Sequence, residues 1–257
     1  MSEAQLLQVE IRDRIAVLTL NSPPVNALSR DLLEALRVTF FNLGKNKELR
    51  AVILTGAGEK AFCAGMDTKC NFNAPKGGVG SYGQHVMNTV EQCPLPVIAA
   101  INGFALGGGL ELALACDFRI AAEEAKLGLV EANLGLIAGW GGMTRLPLLV
   151  GETNAKLMFY TAAKLTAQEA KEIGLVQKVV PKDQLMDAAM ELAQLIATKA
   201  PLSVMSAKRV IHATRQAAFG AGQYAESEQN NIVSTSKDVG EGMRALREKR
   251  TPNFQNE

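Results

Sequence analysis

Two histidines, His85 and His212, are all that 257 residues provide, and the four cysteines, Cys63, Cys70, Cys93 and Cys116, include no Cys-x-x-Cys pair. A zinc site assembled from clustered Cys and His is therefore not expected, and no other metal-ligand spacing stands out. Unpaired thiols of this kind suit the reducing cytoplasm. Net charge is almost absent as well: 27 Lys and Arg oppose 26 Asp and Glu, for a formal +1. No global field then gathers nucleic acid or an anionic membrane. Apolar runs are all far shorter than the roughly 20 residues a membrane-spanning helix needs. The start, Met-Ser-Glu-Ala-Gln, has no basic region followed by an apolar one, so no secretory signal is expected. What the chain does have is hydrophobic residues, 47% of the total. That suffices for a substantial core in one large domain, or one domain with an appendage.

The segment that organises the chain is Ile98-Ala-Ala-Ile-Asn-Gly-Phe-Ala-Leu-Gly-Gly-Gly-Leu-Glu-Leu-Ala-Leu-Ala-Cys-Asp117. A strand-length apolar run, Val97 to Ile101, breaks at the turn dipeptide Asn102-Gly103. Gly107, Gly108 and Gly109 then lead into an apolar helical run that carries a single carboxylate, Glu111. Glycines ahead of a helix serve tight helix–strand packing, or they let a ligand approach unpaired N–H groups at the positive end of the helix dipole. In the second case the N–H groups suit an oxygen bearing negative charge. Glu111 lies among Leu110, Leu112, Ala113 and Leu114, so it reads as buried. A buried carboxyl takes a raised pKa, which fits it for acid–base work.

Along the rest of the chain, Leu6–Ile11 and Ile15–Leu20 read as a hairpin around Arg12-Asp13-Arg14. The prolines of Asn21-Ser-Pro-Pro-Val-Asn-Ala-Leu28 bar helix there. Ser29 caps a helix through about Asn42, with Leu32, Leu33, Leu36 and Phe40 on one face. Residues 50–55 form a buried-type strand. Gly56-Ala-Gly-Glu-Lys60 lacks the Gly-Lys-Ser/Thr ending of a phosphate-cradling loop. In Ala61-Phe-Cys-Ala-Gly-Met-Asp67, the small Ala64 and Gly65 leave room for a ligand against the backbone. Residues 68–82 read as a loop, and 83–92 as a helix. Strands are expected at 118–121 and 175–180. Glu131 falls in 126–135, which has no clean period, and by itself reads as a solvated loop carboxylate. Leu136 to Gly142 is a second glycine-rich turn before a helix. Further helices are expected at about 154–163, 167–173 (capped by Thr166), 182–199, 202–217, 223–233 and 239–248. These elements imply an α/β core with a helical C-terminal appendage, divided as 1–200 and 201–257.

Several of these pieces, in this order, resemble the crotonase (enoyl-CoA hydratase/isomerase) superfamily, nearest its 2-enoyl-CoA hydratases. They are residues 21–28, Ala61-Phe-Cys-Ala-Gly-Met-Asp67, Ile98 through Asp117, and Leu129-Val-Glu-Ala-Asn-Leu-Gly135 with Ala138-Gly-Trp-Gly-Gly142. Gly174-Leu-Val176 and the tail Glu248-Lys-Arg-Thr-Pro-Asn-Phe254 complete the match, which spans nearly the whole chain. The resemblance implies a crotonase-like spiral of repeated ββα units with a C-terminal helical trimerisation region. It implies a homotrimer, often paired into a hexamer, an acyl-CoA thioester substrate, and no metal or redox cofactor.

The resemblance also implies roles. The N–H groups of Met66 and Gly108 polarise the thioester carbonyl. Contacts to CoA map to Ala27, Leu28 and Ala64, and more loosely to Phe254 of a neighbouring segment. The two carboxylates of the hydratases correspond to Glu111 and Glu131, twenty residues apart (131 − 111). Glu111 is assigned to activating water and Glu131 to protonating Cα. Asp117 is expected to end the helix and pair locally. Asp67 is either a helix cap or part of the CoA site. Many hydratases carry Pro and a small residue within the turn that here reads Ile137-Ala-Gly-Trp140; Trp140, the single tryptophan, is bulky there and either lines or narrows the acyl pocket or packs in the core or the trimer. Isomerases of the superfamily commonly manage with one carboxylate, so the retained pair favours hydration over double-bond migration. A scaffold role on RNA finds no support in the near-zero charge.

Overall fold

The computed structural model describes residues 6–69 and 78–255, of which 78–80, 214–222 and 225 as backbone alone. The expected hairpin is present: β1 (Leu7–Arg12) pairs antiparallel with β2 (Ile15–Leu20). Helix α1 (Arg30–Leu43) starts at Ser29, whose side chain accepts the Leu32 N–H. It buries Leu32, Leu33, Leu36, Phe40 and Leu43, the i, i+3, i+4 stripe that drives an amphipathic helix onto a core.

The chain then makes three repeats of one strand pair. Strands β3 (Ala51–Gly56) and β4 (Ala61–Cys63) precede α2 (Gly78–Glu91). Strands β5 (Val97–Ile101) and β6 (Phe104–Leu106) precede α3 (Gly108–Leu114). Strands β7 (Phe118–Ala122) and β8 (Lys126–Gly128) precede a 3-10 turn (Glu131–Leu134) and α4 (Gly142–Tyr160). In each repeat the first strand joins one sheet and the second strand joins another. With β9 (Leu165–Thr166), α5 (Ala167–Glu172) and β10 (Lys178–Val180) in place, the sheets run β1-β2-β3-β5-β7-β10 and β4-β6-β8-β9. From β2 onward the large sheet is parallel.

Both faces of the central strands are covered, which is why β3 and β5 are buried throughout and mainly apolar, whereas the edge strand β1 is exposed beyond Leu7. Ala16, Leu18, Val52, Leu54, Ala99 and Ile101 face the main core. The alternate residues Ile15, Ala51, Ile53, Ile98 and Ala100 meet α6 (Leu185–Ala197) through Leu185, Ala188, Ala189 and Ala193. The C-terminal region is α7 (Pro201–Ser234) and α8 (Lys237–Glu248). No helix among the described residues is long and apolar enough to cross a membrane.

Three expectations are corrected here. Helix α2 starts at Gly78, five residues before the expected start, and residues 70–77 of the expected 68–82 loop lie outside the described residues. The helices expected at 202–217 and 223–233 are one, α7. Gly220 and Gly222 interrupt the apolar pattern at a cost of about 1 kcal/mol each in helix propensity; packing against α2 and α4 overrides it. Asp117 does not pair locally. Its Oδ2 accepts the Val97 N–H at 2.8 Å and Lys208 Nζ at 2.6 Å, tying α7 to the large sheet. Thr166 caps α5 as expected, in a full capping box with Glu169.

Two buried polar residues fix the strand connections that lead to the site. Asn102 Nδ2 donates to the carbonyls of Gly56 and Gly58, pinning the β3–β4 turn to the β5–β6 turn. Arg119, only 2% exposed, spends its guanidinium on the carbonyls of Ala113, Cys116 and Leu175. It thereby anchors the C-terminal end of α3, and burial pulls its pKa down from the ordinary arginine value.

Candidate active site

Segments after β4 and β6, the start of α4 and the C-terminal helices enclose a cavity of about 380 Å³. Its walls include Ala64, Gly65, Met66, Gly108, Glu111, Glu131 and Trp140, so seven of the residues singled out from the sequence meet there. Ala27, Leu28 and Asp67 lie alongside, stitched to the same wall. Leu28 N–H donates to the Gly65 carbonyl at 2.8 Å, and Asp67 N–H donates to the Leu28 carbonyl at 3.1 Å. Leu28 is fully buried, backbone included, and it backs the wall that Ala64 and Gly65 present to the cavity. Asp67 caps its own turn, its Oδ1 accepting the Lys69 N–H. Phe254 stands apart, on a tail held to α8 by Asn253 N–H on Glu241 and Gln255 N–H on Asp238.

Met66 and Gly108 face one another because glycine permits it. Gly107 has φ +54° and turns the chain into α3. A Cβ on Gly65 would fall 3.3 Å from Gly108 N, and one on Gly108 would fall 3.5 Å from Met66 N. Gly108 N–H is the first of α3, outside the i→i−4 ladder. Met66 N–H takes no part in the two bonds of its bridge to Leu28. Two donors from different segments thus converge at a helix N-terminus, a geometry suited to an oxyanion.

Glu111, 2% exposed, is fixed on one side only. Its Oε1 accepts Trp140 N–H at 2.7 Å and Gly142 N–H at 2.8 Å. Its Oε2 is left without a protein partner among the described residues. Burial pushes the carboxyl well above the ordinary range, helped by the nearby charges of Glu131 and Glu226 and opposed by the two N–H groups. Glu131 begins the 3-10 turn, and its carboxyl abuts Gly107, where a Cβ would sit 2.9 Å from Oε1. The residue is half-buried, but its Oε2 is buried with no hydrogen bond, so the solvated carboxylate expected from sequence is instead partly withdrawn from water. Burial raises it to about 7. Each carboxyl is held above its ordinary range and the charge of Glu131 bears on Glu111, so the two titrate as a unit.

Trp140 is 5% exposed. It lines the cavity, and its ring wedges between α2 and α3, where a Cβ on Gly83 or Gly108 would collide with it.

The sequence reading missed Glu226, Asn230 and Ser234 on α7, Leu246 on α8, and Lys164. Four of these line the cavity; Glu226 lies behind it, 4% exposed, accepting the Gly141 N–H. Burial pushes Glu226 up to about 7. Nothing local in Gln-Tyr-Ala-Glu-Ser-Glu-Gln-Asn-Asn marks one carboxylate as buried, because only the packing of α7 on α4 buries it.

With the fold and this constellation described, the comparisons give the class. The enoyl-CoA hydratase/isomerase family model matches residues 10–257, and the chain belongs to that family. Among its relatives, a crotonyl-CoA hydratase of Syntrophomonas wolfei is 40% identical over 96% of each chain. A short-chain-enoyl-CoA hydratase of Clostridium acetobutylicum is 41% identical over 94% of each. The crystal structure of an enoyl-CoA hydratase from Bacillus anthracis is 45% identical. It covers 98% of this chain and 100% of its own, with a TM-score of 0.79.

Proposed function

We propose that this chain is an enoyl-CoA hydratase that adds water reversibly across the 2,3 double bond of a 2-enoyl-CoA to give a 3-hydroxyacyl-CoA. The observation that supports this most is the pair of buried carboxyls, Glu111 and Glu131, on the cavity that Met66 and Gly108 line with N–H donors. The thioester oxygen accepts both N–H groups, which stabilise the enolate by roughly 3 kcal/mol each when preorganised. Glu111 has its Oε1 anchored by two N–H groups, which fixes the carboxyl in place and leaves Oε2 to react. Its Oε2 takes a proton from water as the oxygen attacks Cβ. Glu131 gives its proton to Cα as the enolate collapses. One proton has then moved from Glu131 to substrate and one from water to Glu111. Transfer between the two carboxyls restores the starting state. No further cofactor enters; CoA belongs to the substrate, held along Ala27, Ala64, Gly65 and Asp67, with the buried Leu28 behind them.

A panel of 2-enoyl-CoA thioesters, beginning with crotonyl-CoA, tests the reading through loss of the conjugated thioester absorbance. Hydration of at least one member is expected. Double-bond migration without hydration across the panel replaces hydratase by isomerase.

We also infer a cytoplasmic homotrimer or dimer of trimers. Val210 and Ile211 stand 64% and 65% exposed on α7, an unfavourable place for two adjacent β-branched apolar residues unless another chain covers them. Truncating α7 and α8 is a poor test, since Asn230, Ser234 and Leu246 line the cavity. The double change Val210→Asp, Ile211→Asp leaves the cavity intact. Sedimentation of the unaltered chain should give three or six copies, and of the double variant fewer. An unaltered chain that sediments as a monomer at micromolar concentration contradicts the assembly.

A further inference from the structure

The turn Trp140-Gly141-Gly142 presents three successive N–H groups, and all three go to buried carboxyls. The first and third go to Glu111 Oε1. The second goes to Glu226 Oε1, which comes from α7, far along the chain. Gly141 has φ +101°, and that left-handed backbone is what points the middle N–H away from its neighbours. Glu226 is itself held: Gln84 Nε2 of α2 donates to the same oxygen at 3.3 Å, and Ser227 Oγ donates to Gln84 Oε1 at 3.2 Å. The far side of the turn is braced by Arg145, whose Nη1 donates to the Trp140 carbonyl at 3.0 Å and whose Nη2 pairs with Glu91 at 2.9 Å. A Cβ on Gly139 would fall 2.8 Å from the Asn230 side chain, so α7 also presses on the turn from outside.

We propose that Glu226 is a positioning residue: from α7 it holds the Gly141 N–H and so sets the turn whose other two N–H groups anchor Glu111. The proposal rests on the reading of Glu111 as the water-activating carboxylate. Glu226 reaches no reacting atom itself; it lies behind the cavity wall, with its Oε2 buried and unpartnered. It acts in two ways. Its acceptor oxygen fixes the turn. Its charge bears on Glu111, because a carboxylate beside another makes ionisation of the second harder. The charged groups around Glu226 are Arg145 and Glu91 from α4 and α2, Glu111 from α3 and Glu131 from the 3-10 turn; Gln84 and Asn88 are neutral.

The two actions separate by substitution. Glu226→Gln keeps an acceptor for Gly141 and removes the charge; Glu226→Ala removes both. Glu226→Ala should lose about ten- to a hundredfold in kcat, as expected when a reacting group is displaced by up to an ångström, with KM changed by less than about threefold. Glu226→Gln should recover most of that kcat, and the acidic limb of its kcat profile should move to lower pH, because Glu111 then ionises more readily. Trp140, the single tryptophan, sits in the turn and reports on it directly. Its emission should shift to the red and its quenching by acrylamide should rise in Glu226→Ala, but not in Glu226→Gln. The proposal is overturned if Trp140 emission in Glu226→Ala equals that of the unaltered protein. It is equally overturned if Glu226→Gln leaves the acidic limb in place, a measurement that stands even where Glu226→Ala does not fold. Glu111→Gln, assayed alongside, decides the underlying reading separately: near-normal kcat there removes the catalytic role of Glu111, while Trp140 still judges the hold of Glu226 on the turn.

Discussion

Glu111→Gln is expected to lower kcat for hydration by at least ~100-fold, the usual contribution of a positioned acid or base. The amide is a close mimic of the native side chain. Its oxygen can still accept the Trp140 and Gly142 N–H groups that now meet Oε1. What changes is the other position, where Oε2 becomes an NH₂ that cannot take a proton from water. KM should move little, because neither oxygen is asked to bind the thioester. Glu131→Gln should cost a similar factor by removing the proton delivered to Cα. The two losses are not expected to add, since either change stops the same overall hydration. Isotope exchange separates the roles. With Glu131 present and the Met66 and Gly108 donors intact, Glu111→Gln should still exchange a Cα hydrogen of a 3-hydroxyacyl-CoA with deuterated solvent, and Glu131→Gln should not. Exchange that survives only in the presence of Glu111 reverses the assignment. Near-normal hydration in both variants removes the pair from the mechanism.

The legible parts of this protein were those whose physical cause is local. Ser29 and Thr166 announce their helices because a cap depends on the next three residues. The buried strands β3 and β5 read as apolar runs because both of their faces are covered. Glycines 107–109 and Glu111 pointed to the site because a glycine-rich helix start with one carboxylate is unusual within a short window. Strands β4, β6, β8 and β9, at two or three residues each, are too short to carry a period. They exist because each repeat of the spiral lays one more short segment beside the last. Glu131 illustrates the same limit from the side of chemistry. Its neighbours suggest solvent, and its assignment rests on resemblance alone; the carboxyl is seated against Gly107, twenty-four positions earlier (131 − 107). Glu226 had no such guide, since its partners lie on α2 and in the turn before α4.

Among the described glycines, Gly109 has the closest backbone neighbour, and Gly109→Ala is expected to be severely damaging. A Cβ at this position would lie 1.9 Å from the Cys63 carbonyl oxygen and 2.6 Å from its carbon. These are backbone atoms of β4, so no side chain can rotate away. Contacts of Cβ below 3.0 Å are essentially never seen, and relief requires α3 and β4 to part by at least 1.1 Å (3.0 − 1.9). Met66 follows β4 by three residues, and Gly108 immediately precedes the substituted position. The parting therefore falls on the two N–H groups that polarise the thioester. Misplacement by about 1 Å costs on the order of 100-fold in rate, while overpacking destabilises by about 1–3 kcal/mol. We expect Gly109→Ala to show both effects, as a kcat lowered by ~100-fold and a depressed Tm. Gly240→Ala is the control. It adds the same methyl on α8 with nothing within 4 Å, and should raise stability by about 0.5–1 kcal/mol through helix propensity with kcat unchanged. If Gly109→Ala keeps the kcat and Tm of the unaltered protein, the close seating of α3 on β4 is not what brings the two donors together, and the oxyanion site must be built some other way.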